Sequence, residues 1–366
     1  MNRMRSLLPI ARRLCVVGLV AAVALWAGGA AKAASTPRDQ KMPAAAYMTN
    51  PQAKTEAERL DDYLAVWIED RGNGGEIYGK RLFGNGLPNG GPDRQGIQVV
   101  REVQGPGRGN EPHGERADPD LVWNSVQLES LLVWSQFTDD ANGWDIYGVR
   151  VSPAGYSSGS PRLLVGGPGD QQHPDIAIQA TEHSDNNDYV LVFDDNLRDL
   201  DRIMGLKIRF NGIPNGKPYQ VFAGETWNAT DPTTNGSAVA WVDDRGETTD
   251  IWSIRLRNGL PNGKDMRLAG TEDDDFNPNY GSGGLVWNVY DPATANDIVG
   301  LEVYDNNRTR GPSFGIRVPP ANQSWPILVN GLLLYSDDRS GNLDIYAIRT
   351  VNVRYQRGNE IAIVKE

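Results

Sequence analysis

Cysteine is nearly absent from this 366-residue chain: there is one, Cys15, alongside only three histidines (His113, His173 and His183). Cys15 opens the apolar stretch at residues 14–27, where it is badly placed to carry a lipid and would leave with an export signal. The rest of the chain then has no thiol, which excludes disulfides, thiolate metal sites and cysteine nucleophiles. None of the histidines lies in a recognisable nucleophile context, so no catalytic residue is assigned. Long hydrophobic runs are also missing beyond residue 27, which excludes a membrane-spanning helix in the mature chain.

The N-terminus has the three-part grammar of a secretory signal: Arg3, Arg5, Arg12 and Arg13, then the apolar stretch, then the small-residue site Ala31-Lys32-Ala33. Cleavage after Ala33 is expected, with residues 34–42 as a short linker and an exported product, periplasmic or extracellular. The signal carries five of the 36 basic residues and no acid, so the mature chain sets 31 basic residues against 47 acidic ones, a net charge of −16. Such a surface repels nucleic-acid phosphates and anionic lipid.

What the chain has in abundance is repetition. An apolar run ending in an aromatic, an acidic turn and an Asp-Ile-Tyr-like strand recur six times, placing the isoleucine of that last strand at 77, 146, 203, 251, 298 and 345. The last three intervals are 48, 47 and 47 residues, and the earlier ones, 69 and 57, accommodate loop insertions. A proline opens each copy: Pro43, Pro119, Pro174, Pro232, Pro278 and Pro326. Proline donates nothing to a ladder and belongs at strand starts or edges, so each unit begins with an edge strand. Turns such as Asn211-Gly212-Ile213-Pro214-Asn215-Gly216 suit tight hairpins and lack the following helix that a phosphate cradle requires. Four antiparallel strands per unit, repeated six times, predict an all-β, six-bladed β-propeller with blades at about 43–101, 118–166, 173–223, 231–269, 277–318 and 325–366. A linear solenoid would use shorter repeats and polar caps. Closure is expected by packing of the first blade on the last, without an exchanged strand.

The segment Tyr335-Ser336-Asp337-Asp338-Arg339-Ser340-Gly341-Asn342-Leu343-Asp344-Ile345-Tyr346 resembles the WD40-like (PD40-type) repeat of TolB-like propellers. The likeness runs through all six units and implies the six-bladed ring. Two departures separate the chain from TolB itself: the Ser-Pro-Asp-Gly turn common in that family is missing, and little sequence precedes the first blade where TolB has another domain. The Tol-system role is therefore not carried over.

Two residue sets could carry chemistry. The first is the carboxylate pairs flanking the turns between strands two and three, among them Asp140 with Asp145, Asp244 with Asp250 and Asp338 with Asp344; oxygen pairs around a turn could hold Ca²⁺. Because the pairs recur in every unit, the simpler expectation is that they cap turns and pair with arginines such as Arg245 and Arg339. The second is the residue before each proline: Met42, Asp118, His173, Asp231, Asn277 and Trp325. These are diverse where the repeat is otherwise regular, as a ligand site on a repeated scaffold would be. The expectation is a monomeric, non-catalytic binding or scaffold module that needs no cofactor and receives a protein, small-molecule or glycan ligand at this mouth. The alternatives are a calcium-dependent hydrolase of the six-bladed lactonase type, its ion held by Asp118, Asp231 and Asn277, and a propeller with structural calcium at the rim.

Overall fold

The computed structural model describes residues 39–364 except 56–58, 71–74, 90–95, 101–114, 140–142, 180–186, 197–199, 225, 271, 282, 292–294, 305–306, 317–320, 352, 354 and 357–358. The expected signal at residues 1–33, His113, His183 and Asp140 lie outside the described residues. No helix occurs among the described residues.

Every element is a strand, and the strands group into six antiparallel sheets, each built from strands consecutive in sequence. The first blade contains Asp39–Met48, Asp62–Asp70, Glu76–Leu82 and Ile97–Gln98; the second, Arg116–Asn124, Glu129–Asp139, Gly143–Val151 and Arg162–Val165. The third comprises Asp170–Ile178, Tyr189–Asn196, Arg202–Ile208 and Tyr219–Ala223. The fourth has Ala229–Thr234, Ala238–Asp243, Asp250–Arg257 and Met266–Ala269, with the short Leu260–Pro261 beside its third strand. The fifth has Asp275–Gly281, Gly284–Asp291, Ala295–Glu302 and Phe314–Ile316; the sixth, Gln323–Val329, Leu332–Asp337, Asp344–Val351 and Ile361–Val364, with Tyr355–Gln356 beside its third strand. The first strand of each blade touches the first strand of the next, and that of the sixth touches that of the first, so the inner strands form a ring. This is a six-bladed β-propeller.

Alternation along the second strands explains the packing. One face of each strand carries the terminal aromatic, Trp67, Trp134, Phe193, Trp241, Trp287 or Tyr335, every one at most 1% exposed. The buried apolar residues sort into six clusters, each drawn from two neighbouring blades. Stability is thus distributed around the ring and resides between blades rather than within any one sheet. The seam between the last blade and the first is one of these clusters, uniting Tyr63, Trp67 and Leu82 with Leu332, Ile345 and Ile363. It is tied further by Gln40 N–H to the Leu343 carbonyl (2.8 Å) and by Lys80 Nζ to the Ile363 carbonyl (3.2 Å). Among the described residues no strand is exchanged across it.

The inner strands share one irregularity. Pairing with the second strand slips at each X-Pro step, for example between Ala117 and Asp120, Thr230 and Thr233, Phe276 and Asn279, and Ser324 and Ile327. At all six steps the residue before proline is left-handed, with φ between 48° and 54°. A non-glycine residue there costs on the order of 1–2 kcal/mol, and a following proline disfavours helical conformations of the preceding residue as well. Six recurrences of one strained bulge mark a feature of the scaffold, and bulges serve to re-aim side chains.

Candidate functional site

The bulge turns Met42, Asp118, His173, Asp231, Asn277 and Trp325 onto one cavity of about 160 Å³, walled by the six prolines. The structure therefore brings together all five residues expected at the channel mouth, with Met42 as the sixth. Their order around the ring divides the mouth by character. Trp325 and Met42, from the sixth and first blades, are adjacent and apolar, whereas Asp118, His173 and Asp231 follow one another on the second to fourth blades; Asn277 separates the halves. Below them, Asp120, Asp175, Asn279 and Ile327 also line a second cavity of about 360 Å³ and form the waist between the two.

His173 is the centre of the polar half. Its Nδ1 lies 2.7 Å from Asp194 Oδ2 and 3.4 Å from Asp231 Oδ1, and its Nε2 lies 3.8 Å from Asp118 Oδ2. Burial alone would lower the imidazole pKa, but the carboxylates of Asp194, Asp231 and Asp118 outweigh it and hold the pKa well above the ordinary value. Burial raises the carboxyls of Asp118 and Asp231, with His173 acting against it. Backbone donors complete the frame: Asp231 N–H points to Asp194 Oδ2 (3.3 Å), Asp118 N–H to Met42 Sδ (3.4 Å) and Trp325 N–H to Asn288 Oδ1 (3.1 Å).

Asp194 and Asn288 were not anticipated as site residues. Both directly follow the buried aromatic of a second strand, the position that faces the inner strand, and Ser135 there reaches Asp118 Oδ2 at 3.4 Å. The available signal was a polar residue interrupting an apolar strand immediately after its aromatic.

The waist residues clip neighbouring blades together. Asp120 Oδ2 accepts Ile176 N–H (2.8 Å), Asp175 accepts Thr234 N–H (2.9 Å), Thr233 Oγ1 accepts Tyr280 N–H (2.8 Å) and Asn279 Oδ1 accepts Leu328 N–H (2.8 Å). Burial pushes the Asp120 carboxyl up to about 7, and burial together with the Asp120 charge holds Asp175 well above its ordinary range. The folded chain therefore keeps protons that the unfolded chain releases near pH 4, and stability should decline as pH rises from there through about 7. Each such proton contributes a slope of about 1.4 kcal/mol per pH unit within that window. Denaturant unfolding of chelator-treated protein across that range checks this, with Asp120→Asn expected to flatten the profile; stability that rises with pH would contradict it.

The rim carboxylates are engaged by protein donors. Asp244 accepts Asn228 N–H (2.7 Å) and Asn228 Nδ2 (3.1 Å), and Asp338 accepts the equivalent groups of Asn322 (3.1 and 2.7 Å). Asp250 pairs with Arg267 (2.7 Å), Asp344 accepts Ser340 Oγ (2.7 Å), and Asp145 accepts Thr138 Oγ1 (2.6 Å) and Gly167 N–H (3.2 Å). Arg245 grips Asp243 through Nε at 2.7 Å and stacks 3.6 Å over the Trp252 ring; Arg339 likewise holds Asp337 through Nε at 2.7 Å. Asp275 is fully buried against the Trp287 indole nitrogen (2.8 Å).

No protein-family model matches the sequence, and no curated protein matches it. Among solved structures, the chain is similar to a protein of unknown function from Dyadobacter fermentans, with 9% identity, 88% of this chain and 93% of that one covered, and a TM-score of 0.59. It is also similar to Aleuria aurantia lectin, solved as a variant in complex with alpha-methyl-L-fucoside, with 10% identity, coverage of 90% and 99%, and a TM-score of 0.51. At these identities the likeness shows the propeller fold alone.

Proposed function

We propose that the chain is an exported, non-catalytic binding propeller whose ligand docks at the mouth ringed by the pre-proline residues. One observation carries this reading: the same strained bulge aims six side chains of five different kinds into one cavity, while the prolines beside them never vary. A purely structural bulge would need neither the diversity nor the division into an apolar and an acidic half. The half-buried Trp325 with Met42 offers an apolar wall, and the carboxylates around His173 favour positive charge. Among the described residues no helix is long and apolar enough to cross a membrane; the N-terminal signal supports export.

A panel of amines, amino acids and monosaccharides screened by thermal shift tests this. A mouth ligand at a hundred times its Kd should add about 2.7 kcal/mol of stability, and Trp325→Ala or Asp231→Asn should abolish the shift. Hits that persist in both variants would place the ligand elsewhere and sink the reading. The calcium-dependent hydrolase alternative draws on Asp118, Asp231 and Asn277 lining the same cavity, and it requires a bound divalent ion.

A further inference from the structure

We propose that the mouth binds one transition-metal ion through His173 Nδ1 and one carboxylate oxygen from each of Asp194 and Asp231. The proposal rests on the reading of the mouth as the ligand site. These three donor atoms lie within 4.8 Å of one another. Ions of the zinc class hold nitrogen and carboxylate oxygen at about 2.0–2.2 Å, so neighbouring donors in a four- to six-coordinate shell stand roughly 3.0–3.4 Å apart. His173 Nδ1 is 2.7 Å from Asp194 Oδ2 and 3.4 Å from Asp231 Oδ1, so small side-chain adjustments bring these donors to that spacing.

The donor set selects the kind of ion. Calcium takes six to eight oxygens and no nitrogen, whereas imidazole suits zinc, copper, iron and nickel. Behind the ring, Asp118 Oδ2 stands 3.8 Å from Nε2 and accepts Ser135 Oγ at 3.4 Å. With an ion on Nδ1 the remaining imidazole proton sits on Nε2, where the charge of the Asp118 carboxylate favours it, as an outer carboxylate does for a metal-bound imidazole. Asp194 is fixed in turn by the backbone N–H of Asp231. Charge agrees with this assignment: among the described residues, three carboxylates converge on His173, and no lysine or arginine is paired with them. A divalent ion supplies the positive charge that one imidazole cannot. Three protein donors leave coordination positions open to the cavity, where a ligand oxygen or nitrogen would enter.

The test is titration of the chelator-treated full chain with Co²⁺, read by visible absorption and by metal analysis after dialysis. One equivalent should bind, with a d–d band that Zn²⁺ abolishes by displacement and that Ca²⁺ leaves intact. His173→Gln and Asp231→Asn should each weaken binding at least tenfold. Asp118→Asn, a positioning change, should weaken it about tenfold while leaving the stoichiometry at one. Asp244→Asn at the rim should change nothing. The absence of a band, a band unchanged in both His173→Gln and Asp231→Asn, or displacement of Co²⁺ by equimolar Ca²⁺ would overturn the proposal. If His173→Gln fails to fold by circular dichroism, Asp231→Asn decides. Loss of the metal signal with a Trp325-dependent ligand shift retained would remove the metal alone; loss of both would remove the mouth as the site.

Discussion

Trp241→Ala is expected to destabilise the protein by about 3–5 kcal/mol, the range for deleting a fully buried tryptophan. The indole is 0% exposed in the cluster that joins the third and fourth blades, among Val190, Val192, Ile203 and Ile254. It stacks on Phe222 with ring centroids 4.7 Å apart, and its Nε1 donates to Asp243 Oδ2 at 3.1 Å. Truncation would leave a cavity between blades, and the surrounding strands are pinned by their ladders and can close it only in part. Asp243 would keep its Arg245 partner, so the loss should be dominated by packing rather than by an orphaned charge. Trp252→Ala provides the contrast: that ring is only half-buried and stacks on Arg245, so its removal should cost closer to 1 kcal/mol. Urea unfolding of the two variants measures both. Equal losses would show that the inter-blade cluster does not hold the ring.

Gly281→Ala is expected to cost about 3 kcal/mol, the upper part of the range for overpacking a close contact. Gly281 ends the inner strand of the fifth blade, where an added Cβ would overlap the carbonyl oxygen of Leu328 and stand 2.6 Å from the Leu328 Cβ and Cγ. The obstructing oxygen belongs to the main chain of the sixth blade's inner strand, so a rotamer change gives no relief and the two blades must separate. The same residues line the larger cavity, which should change shape along with the loss of stability. Gly283→Ala, two residues on, meets nothing within 4 Å but has φ near +84°, so it should cost less, about 1–2 kcal/mol, from backbone strain alone. Near-equal effects would mean that the interface between these blades yields more easily than its geometry implies.

The repeat was legible because its marks are local. An aromatic at the end of the second strand, an isoleucine in the third and a proline in the first recur at nearly fixed spacing, and strand periodicity follows directly. The prolines also fixed which strand lies at the edge, and from that which residues ring the mouth. The left-handed backbone before them was not legible, since a proline announces a missing donor and says little about the φ of its neighbour; only Asp118, His173, Asp231 and Asn277 are residue types that tolerate it readily. Asp194 was hidden for another reason. In the run Phe193-Asp194-Asp195 the two acids read alike, yet strand alternation sends Asp194 to His173 and Asp195 to Arg202 and Gln171. At the rim, the acids were grouped by nearness in sequence, but Asp244 and Asp338 hold asparagines sixteen residues earlier, a pairing that only the sheet register reveals.

The six bulges have a consequence for how recognition can change. Because proline and backbone set the direction of each mouth side chain, the side chain itself is free to vary, and the mouth can be spelled from six positions without rewriting the scaffold. The alphabet is biased: a left-handed φ disfavours valine, isoleucine and threonine and welcomes asparagine, aspartate, histidine and glycine. A propeller built this way could acquire a new ligand by one-letter edits at the mouth, drawn from that set, without re-aiming the strand.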